Sequence, residues 1–216
     1  MTPVAKERLL SEPTVRIESD ILRRIMQAIL PVPEGTYSPS EDSFLMLDVI
    51  STIPVQGKKV LDVGTGSGIL GLFCALQGAS VTSTDIDQVS LLHAQKAAKI
   101  LGVDLEVVLS DLFSNVNGQF DLILFNPPYL TSTTLEDRTV DGGKKGAEIT
   151  MKFLGNLEKH LKPGGSALLM VSSQNDPSSL TDQHPEFDFS IVARRALFFE
   201  ELQVLDVRLH GNVARE

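Results

Sequence analysis

From Lys58 to Val171 short apolar runs alternate with helix-patterned runs, and this rhythm constrains the fold more than any other feature. Runs at 60–63, 79–84, 105–109, 120–125 and 166–171 read as buried strands. Runs at 68–77, 89–101 and 146–161 carry helical spacing. Strands joined through helices pair in parallel, because the crossover returns the chain to the same end of the sheet. The rhythm breaks at 187–196 and 202–209, two strand patterns with only a short link between them. Such a link makes a hairpin, so one of these strands runs antiparallel to the rest. The expected fold class is α/β: a seven-stranded, mostly parallel sheet with a C-terminal antiparallel hairpin and helices on both faces.

A chain of 216 residues, 42% of them hydrophobic, buries a full core without disulfides. Its single cysteine, Cys74, lies in the apolar run 69–76 and reads as a small buried hydrophobe. One cysteine allows no internal disulfide, which points to a reducing, cytoplasmic compartment. No apolar run approaches the ~18 residues a membrane span needs. The formal net charge of −9 disfavours nucleic acid as the main partner, because phosphate binding needs clustered Lys and Arg. It suits a basic protein partner, or simply solubility. Residues 1–17 read as irregular. Ile21, Leu22, Ile25, Met26, Ile29 and Leu30 have helical spacing, which Pro31 and Pro33 end. The expected division is therefore an N-terminal extension over 1–35 with a short helix, and one catalytic-type domain over 36–216. In the segment Tyr37-Ser38-Pro39-Ser40-Glu41-Asp42-Ser43, Ser40 suits an N-cap, with Glu41 and Asp42 in the first helical turn.

Asp62-Val63-Gly64-Thr65-Gly66-Ser67-Gly68 sits at the first strand-to-helix junction. Glycines there let the backbone turn sharply and approach a ligand, and ligands of open α/β sheets bind outside the carboxyl ends of the strands. The spacing departs from the dinucleotide pattern Gly-x-Gly-x-x-Gly. The third glycine comes one residue early, and Ile69 stands where that pattern wants Gly. S-adenosyl-L-methionine has no phosphate to seat. It has a sulfonium, an ammonium and a carboxylate, and an acid such as Asp62 beside the loop suits its cations. The alternative is a tight turn with no ligand. Two further acids follow strands. Asp85 comes about 20 residues after the first glycine, where a carboxylate accepts from ribose hydroxyls, with Asp87 as its competitor. Asp111, beside Leu112, is placed to accept from an adenine amino group. NAD would need the same ribose acid, so Asp85 alone does not separate the two cofactors. A solvated loop acid or helix cap is the plain alternative for each.

Asn126-Pro127-Pro128-Tyr129 directly follows the apolar strand 120–125. Two prolines stop strand pairing and stiffen the backbone, so Asn126 projects from a fixed platform. An amide nitrogen is a poor nucleophile because its lone pair is delocalised. The Asn126 side-chain oxygen and the Pro127 carbonyl could each hold one N–H of a planar NH₂ group, and these fixed dipoles would stabilise charge developing on nitrogen. The remaining catalysis is proximity and in-line alignment. Tyr129 can stack on the acceptor's flat face. No strong base is required, so His93, His160, His184 and His210 read as surface or helix-face residues. The plain alternative for the tetrapeptide is a strand-ending turn.

With these residues in place, the sequence resembles the HemK-type protein-(glutamine-N5) methyltransferases, which have a Rossmann-like class I methyltransferase fold. It is similar in particular to the archaeal and eukaryotic branch that modifies the class-1 peptide chain release factor. Three segments carry the resemblance: Tyr37 to Ser43, Asn126 to Tyr129, and Gly142-Gly143-Lys144-Lys145-Gly146-Ala147-Glu148. The tetrapeptide is shared with adenine-N6 and guanine-N2 nucleic-acid methyltransferases, and the other two segments narrow the choice. The resemblance spans about residues 35–210. It implies S-adenosyl-L-methionine as cofactor and the glutamine of a Gly-Gly-Gln motif as acceptor. It also implies Ser43 near the methionine part of the cofactor, with Tyr37 and Glu41 shaping the same pocket. Bacterial relatives carry a larger N-terminal helical domain, which the first 35 residues cannot supply. The eukaryotic enzyme works with a small zinc-binding activator subunit, and an edge strand such as 105–109 could pair with one. The expected site is thus catalytic Asn126, Pro127 and Tyr129, with Tyr37, Ser43, Asp62, Gly64, Gly66, Gly68, Asp85, Asp111, Leu112 and Asn126 on the cofactor and no metal. The alternative is an amino methyltransferase acting on RNA or DNA.

Overall fold

A computed structural model describes residues 19–128, 148–173, 178–198 and 200–211. Seven strands form one sheet: β1 (Lys59–Val63), β2 (Ser80–Asp85), β3 (Glu106–Leu109), β4 (Phe120–Phe125), β5 (Leu161–Ser172), β6 (Phe187–Ala196) and β7 (Glu201–Leu209). Their order is β3-β2-β1-β4-β5-β7-β6. The pairs β1–β2, β1–β4, β2–β3 and β4–β5 are parallel, while β7 is antiparallel to both β5 and β6. The sheet is therefore of the expected class, with β7 as the reversed strand. Order reverses beside β1, where the chain turns from building outward to β3 and crosses to β4. Open α/β sheets bind ligands in the crevice at such a switch point.

Six helices accompany the sheet among the described residues: α1 (Ser19–Ile29), α2 (Glu41–Ile50), α3 (Ile69–Leu76), α4 (Gln88–Leu101), α5 (Glu148–Leu157) and α6 (Ser178–Gln183). Side chains alternate across the strands, so each strand feeds two cores. Val60, Leu122, Leu124 and Leu168 pack with Ile25, Met46, Leu72 and Ala94, on the face covered by α1 to α4. Leu61, Val63, Ile123 and Phe125 pack with Phe153, Leu157 and Leu180, on the face covered by α5 and α6. Ile25 and Ile29 of α1 are fully buried, so the helix of the N-terminal extension shares the core of the sheet.

Several boundaries differ from the sequence reading. β5 begins at Leu161 rather than 166, because Leu161 pairs with Phe120 before the register shifts, and pairing resumes at Leu122 with Ser166. Lys162 to Gly165 form the irregular stretch between, and a Cβ on Gly165 would lie 2.9 Å from the Phe120 carbonyl oxygen. The helix expected over 146–161 is α-helical at Glu148–Leu157 and closes in a 3-10 turn, Glu158–His160. Helix α6 lacked a strong periodic pattern and was not expected. His184, expected at the surface, is buried with Nδ1 2.8 Å from Glu186 Oε1.

Candidate active site

The strand ends of β1, β2, β3 and β4 form a common edge, because Val63 pairs with both Thr84 and Phe125, and Asp85 with Leu109. Two backbone hydrogen bonds stitch that edge together: Thr65 N–H donates to the Thr84 carbonyl, and Ser110 N–H to the Asp85 carbonyl. Above it lies a cavity of about 750 Å³. It brings together Tyr37, Ser43, Asp62, Gly64, Gly66, Asp85, Asp111, Leu112, Asn126 and Pro127 from the sequence reading. Gly68 is not in its wall and acts one step back. With φ +86° it caps α3, and a Cβ there would sit 2.8 Å from Ala94 Cβ. Tyr129 lies outside the described residues, as do Gly142 to Ala147.

The glycine loop is held from below by Asp62. Its Oδ2 accepts from Thr65 Oγ1 at 2.6 Å and from Gly71 N–H at 3.1 Å, which ties β1 to its loop and to the first turn of α3. The fit depends on Gly71, where a Cβ would meet Ser83 Oγ at 2.7 Å and Asp62 Oδ2 at 2.9 Å. The sequence reading did not single out Gly71, whose role shows only when α3 packs on β1 and β2. Burial pushes the Asp62 carboxyl up to about 6, against the lowering effect of its Thr65 and Gly71 hydrogen bonds; the nearby Asp85 charge adds to the rise.

Asp85 anchors the other side of the loop. Its Oδ2 accepts from Gly66 N–H and its Oδ1 from Asp87 N–H, each at 2.9 Å. Both oxygens keep a lone pair for a further donor. Burial raises its pKa, opposed by these backbone donors. Asp87, the competitor in the sequence reading, is the N-cap of α4 and accepts from Val89 and Ser90 N–H, although it also borders the cavity. After β3 the chain turns tightly around Ser110, whose Oγ donates to the Leu112 carbonyl at 2.9 Å. Leu112 has φ +49° and is the sole non-glycine residue with positive φ among the described residues. Such backbone concentrates at ligand sites, where the surrounding structure supports its cost.

The opposite wall comes from α2 and the end of β4. Ser40 caps α2 from extended backbone, as expected. Successive residues in a helix's first turn point about 100° apart, and this separates the two acids. Glu41 turns outward to Arg195 of β6, with Nη1 to Oε2 at 2.7 Å, and is not part of the cavity wall. Asp42 turns inward and is 1% exposed. Tyr37 OH donates to Asp42 Oδ2 at 2.7 Å, and Asn126 Nδ2 donates to the same oxygen at 3.1 Å. Asn126 Oδ1 is buried and has no hydrogen-bond partner among the described residues. A buried acceptor left unmade costs about 1–3 kcal/mol, so this atom is suited to a donor that arrives with a ligand. Tyr37 lies against the glycine loop, 3.4 Å from where a Gly66 Cβ would stand. The sequence reading missed Asp42 as a site residue, having treated it as a helix-dipole acid. Among the described residues, no group of His, Cys, Asp and Glu is arranged to hold a metal. Nor is any helix there long and apolar enough to cross a membrane.

The chain's relatives share this arrangement's fold and family. The methyltransferase small domain family model matches residues 40–188. A provisionally named protein N5-glutamine methyltransferase of Methanocaldococcus jannaschii is 38% identical over 181 residues, which are 79% of this chain and 90% of that protein. Ribosomal RNA small subunit methyltransferase C of Pasteurella multocida is 35% identical over 154 residues, 69% of this chain but only 44% of that enzyme. The solved E. cuniculi Mtq2–Trm112 complex, responsible for methylating the eRF1 translation termination factor, matches with a TM-score of 0.68. That match has 24% identity and covers 81% of this chain and 99% of the other, a likeness of fold. From the family match and the archaeal relative together, the chain belongs to the methyltransferase small domain family and, within it, to the HemK-type N-methyltransferases.

Proposed function

We propose that this chain transfers a methyl group from S-adenosyl-L-methionine to the side-chain nitrogen of glutamine in the Gly-Gly-Gln motif of a translation release factor. One observation carries the reading: Asn126, at the end of β4, keeps a buried Oδ1 with no hydrogen-bond partner among the described residues, beside Pro127 in a cavity whose other wall is the glycine loop. The cavity fits the cofactor's chemistry. Asp42, Asp62, Asp85, Asp87 and Asp111 all line it, and a cationic ligand offsets the cost of holding such acids out of water. When bound, S-adenosyl-L-methionine supplies a methyl group on a sulfonium leaving group.

The chain's own residues then have distinct tasks. Asp85 accepts from ribose hydroxyls with its remaining lone pairs. Asp111 and Leu112 would border the adenine, and Tyr37 and Ser43 the methionine end. Asn126 Oδ1 and the Pro127 carbonyl hold the two N–H bonds of the acceptor and orient its nitrogen. As the nitrogen gains the methyl group the sulfonium would leave as a neutral thioether, one N–H proton would pass to water, and the two oxygens stabilise the positive charge growing on nitrogen. Tyr129, outside the described residues, is assigned from the sequence alone to stack on the acceptor's flat face.

A small activator subunit, zinc-binding in the family this chain resembles, is part of the same reading. β3 ends the sheet, and Leu109 on it is exposed together with nearby Ile86 and Val89. An edge of this kind accepts an added strand. Likeness to the ribosomal RNA enzyme favours a second reading, an amino methyltransferase of RNA or DNA. Labelled S-adenosyl-L-methionine, incubated with the chain and either release factor, tRNA, rRNA or DNA, separates the two. Label on the release-factor glutamine is expected, and label confined to nucleic acid overturns the reading.

A further inference from the structure

The hydrogen bonds around Asn126 contain a choice that neither its sequence position nor its shape makes. A side-chain amide is nearly symmetric in outline, because its oxygen and NH₂ occupy similar space and either can face a given direction. The two orientations are chemically opposite. With Oδ1 toward the acceptor, Asn126 receives an N–H. With Nδ2 toward it, two NH₂ groups confront each other and no hydrogen bond forms.

We propose that Asp42 is a positioning residue that sets the orientation of the Asn126 amide and so makes it an acceptor for the substrate N–H. The proposal rests on the reading of Asn126 given above. Among the described residues, four donors converge on the Asp42 carboxylate. Ser43 N–H and Ser43 Oγ reach Oδ1 at 2.5 and 3.1 Å, while Tyr37 OH and Asn126 Nδ2 reach Oδ2 at 2.7 and 3.1 Å. A carboxylate so surrounded acts only as an acceptor. Turning Asn126 over would set its oxygen against Asp42 Oδ2 and forfeit a charge-assisted hydrogen bond, which suppresses the turned-over form about 10- to 100-fold. The orientation left is the one the structure has, with Oδ1 buried and without a hydrogen-bond partner among the described residues.

Asp42 can set this orientation because it is itself fixed. It is 1% exposed in the first turn of α2. Helix α2 is in turn tied to β6 by Arg195, whose Nη1 reaches Glu41 Oε2 at 2.7 Å and whose Nη2 reaches Asp48 Oδ2 at 3.1 Å. Tyr37, which shares the Asp42 oxygen with Asn126, packs on Gly66 of the loop across the cavity.

Asp42→Asn tests this with almost no change of shape. The Ser43 N–H can only donate, so it keeps the oxygen of the substituted amide on its side; the NH₂ then faces Asn126, which turns its oxygen away from the acceptor. With recombinant release factor, and with S-adenosyl-L-methionine at a saturating concentration set from the variant's own Kd by calorimetry, kcat should fall at least ~10-fold. The double variant Asp42→Asn/Asn126→Asp should regain at least ~5-fold over the single variant. Its carboxylate at position 126 accepts from residue 42 with one oxygen and from the substrate with the other. At saturating cofactor, a kcat loss below ~10-fold, or a loss that the double variant does not relieve, overturns the proposal. Should either variant fail to fold, the wild-type chain decides. Its Asn126 side-chain NH₂ signal, assigned through Asn126→Ala, should exchange with solvent far more slowly than an exposed amide, and exchange at the free rate overturns the proposal. This last measurement needs no methyl acceptor, so a failure of the release-factor reading would leave it intact and separately readable.

Discussion

The two walls of the cavity are built from contacts of very different reach. On the glycine-loop wall the bonds are local: Thr65 to Asp62 spans 3 residues, Gly71 to Asp62 spans 9, and Gly66 to Asp85 spans 19. On the Asn126 wall the bonds that join its separate elements are distant: Asn126 to Asp42 spans 84 residues, and Arg195 reaches Asp48 and Glu41 across 147 and 154. The loop wall follows from one strand–turn–helix unit and its neighbour strand. The other wall exists only when α2, β4 and the C-terminal hairpin have all assembled. Loss of Asn126 or its brace should therefore fall mainly on turnover, and loss of the loop wall mainly on cofactor affinity.

Asn126→Ala gives the largest separation. Losing a positioned acceptor should cut kcat by ~100-fold or more, about 3 kcal/mol, and leave the cofactor Kd nearly unchanged. Steady-state kinetics with calorimetry checks this, and cofactor binding lost in step with turnover would erase the distinction between the walls.

Asp62 gives a pH signature belonging to the loop wall. Its carboxyl titrates near 6 in the folded chain against an ordinary 3.8. Between those values the unfolded chain has released the proton and the folded chain retains it. The contribution of Asp62 to stability is thus greatest below about pH 4, declines as pH rises to about 6, and is level above that. Over the window the change is up to ~3 kcal/mol. Asp62→Asn should flatten this part of the curve in urea melts at a series of pH values. A parallel, merely displaced curve would mean the carboxyl is not held out of water as described.

Asp85→Ala is the counterpart to Asn126→Ala. It removes the anchor of Gly66 and the hydroxyl acceptor, and should weaken cofactor binding ~10-fold or somewhat more. At saturating cofactor, kcat should recover most of its value. The smallest effect belongs to Arg195→Ala. Its ion pairs are partly exposed, with Arg195 at 30% and Asp48 at 23%, and burial raises the Asp48 pKa despite the guanidinium beside it. The expected loss is at most ~1 kcal/mol, a Tm shift of ~2–4 °C. Any kinetic effect should fall on kcat rather than on cofactor Kd, because Arg195 braces only the Asn126 wall.

Legibility followed the same division. The alternation of strands and helices, the hairpin at the end and the loop from Asp62 to Gly68 are periodic or contiguous patterns, and the observed strands lie within a few residues of those expected. The early start of β5 escaped because Lys162 to Gly165 read as a turn, and pairing of Leu161 with Phe120 is a property of two segments. Helix α6 escaped because six residues carry too little periodicity to register. At the site, Asn126, Asp85 and Asp111 were marked by position at strand ends. Asp42 and Glu41 were indistinguishable, since adjacent acids in a first turn look alike until a neighbour decides which faces inward.

The sequence by itself determined the alternating architecture, the ligand edge of the sheet and the residue types gathered there, because hydrophobic period and glycine spacing act over a single turn or strand. Only the tertiary structure decided which acid meets Asn126, which way its amide faces and what braces α2. Those outcomes depend on hydrogen bonds between segments 84 or more residues apart, whose approach no local pattern records.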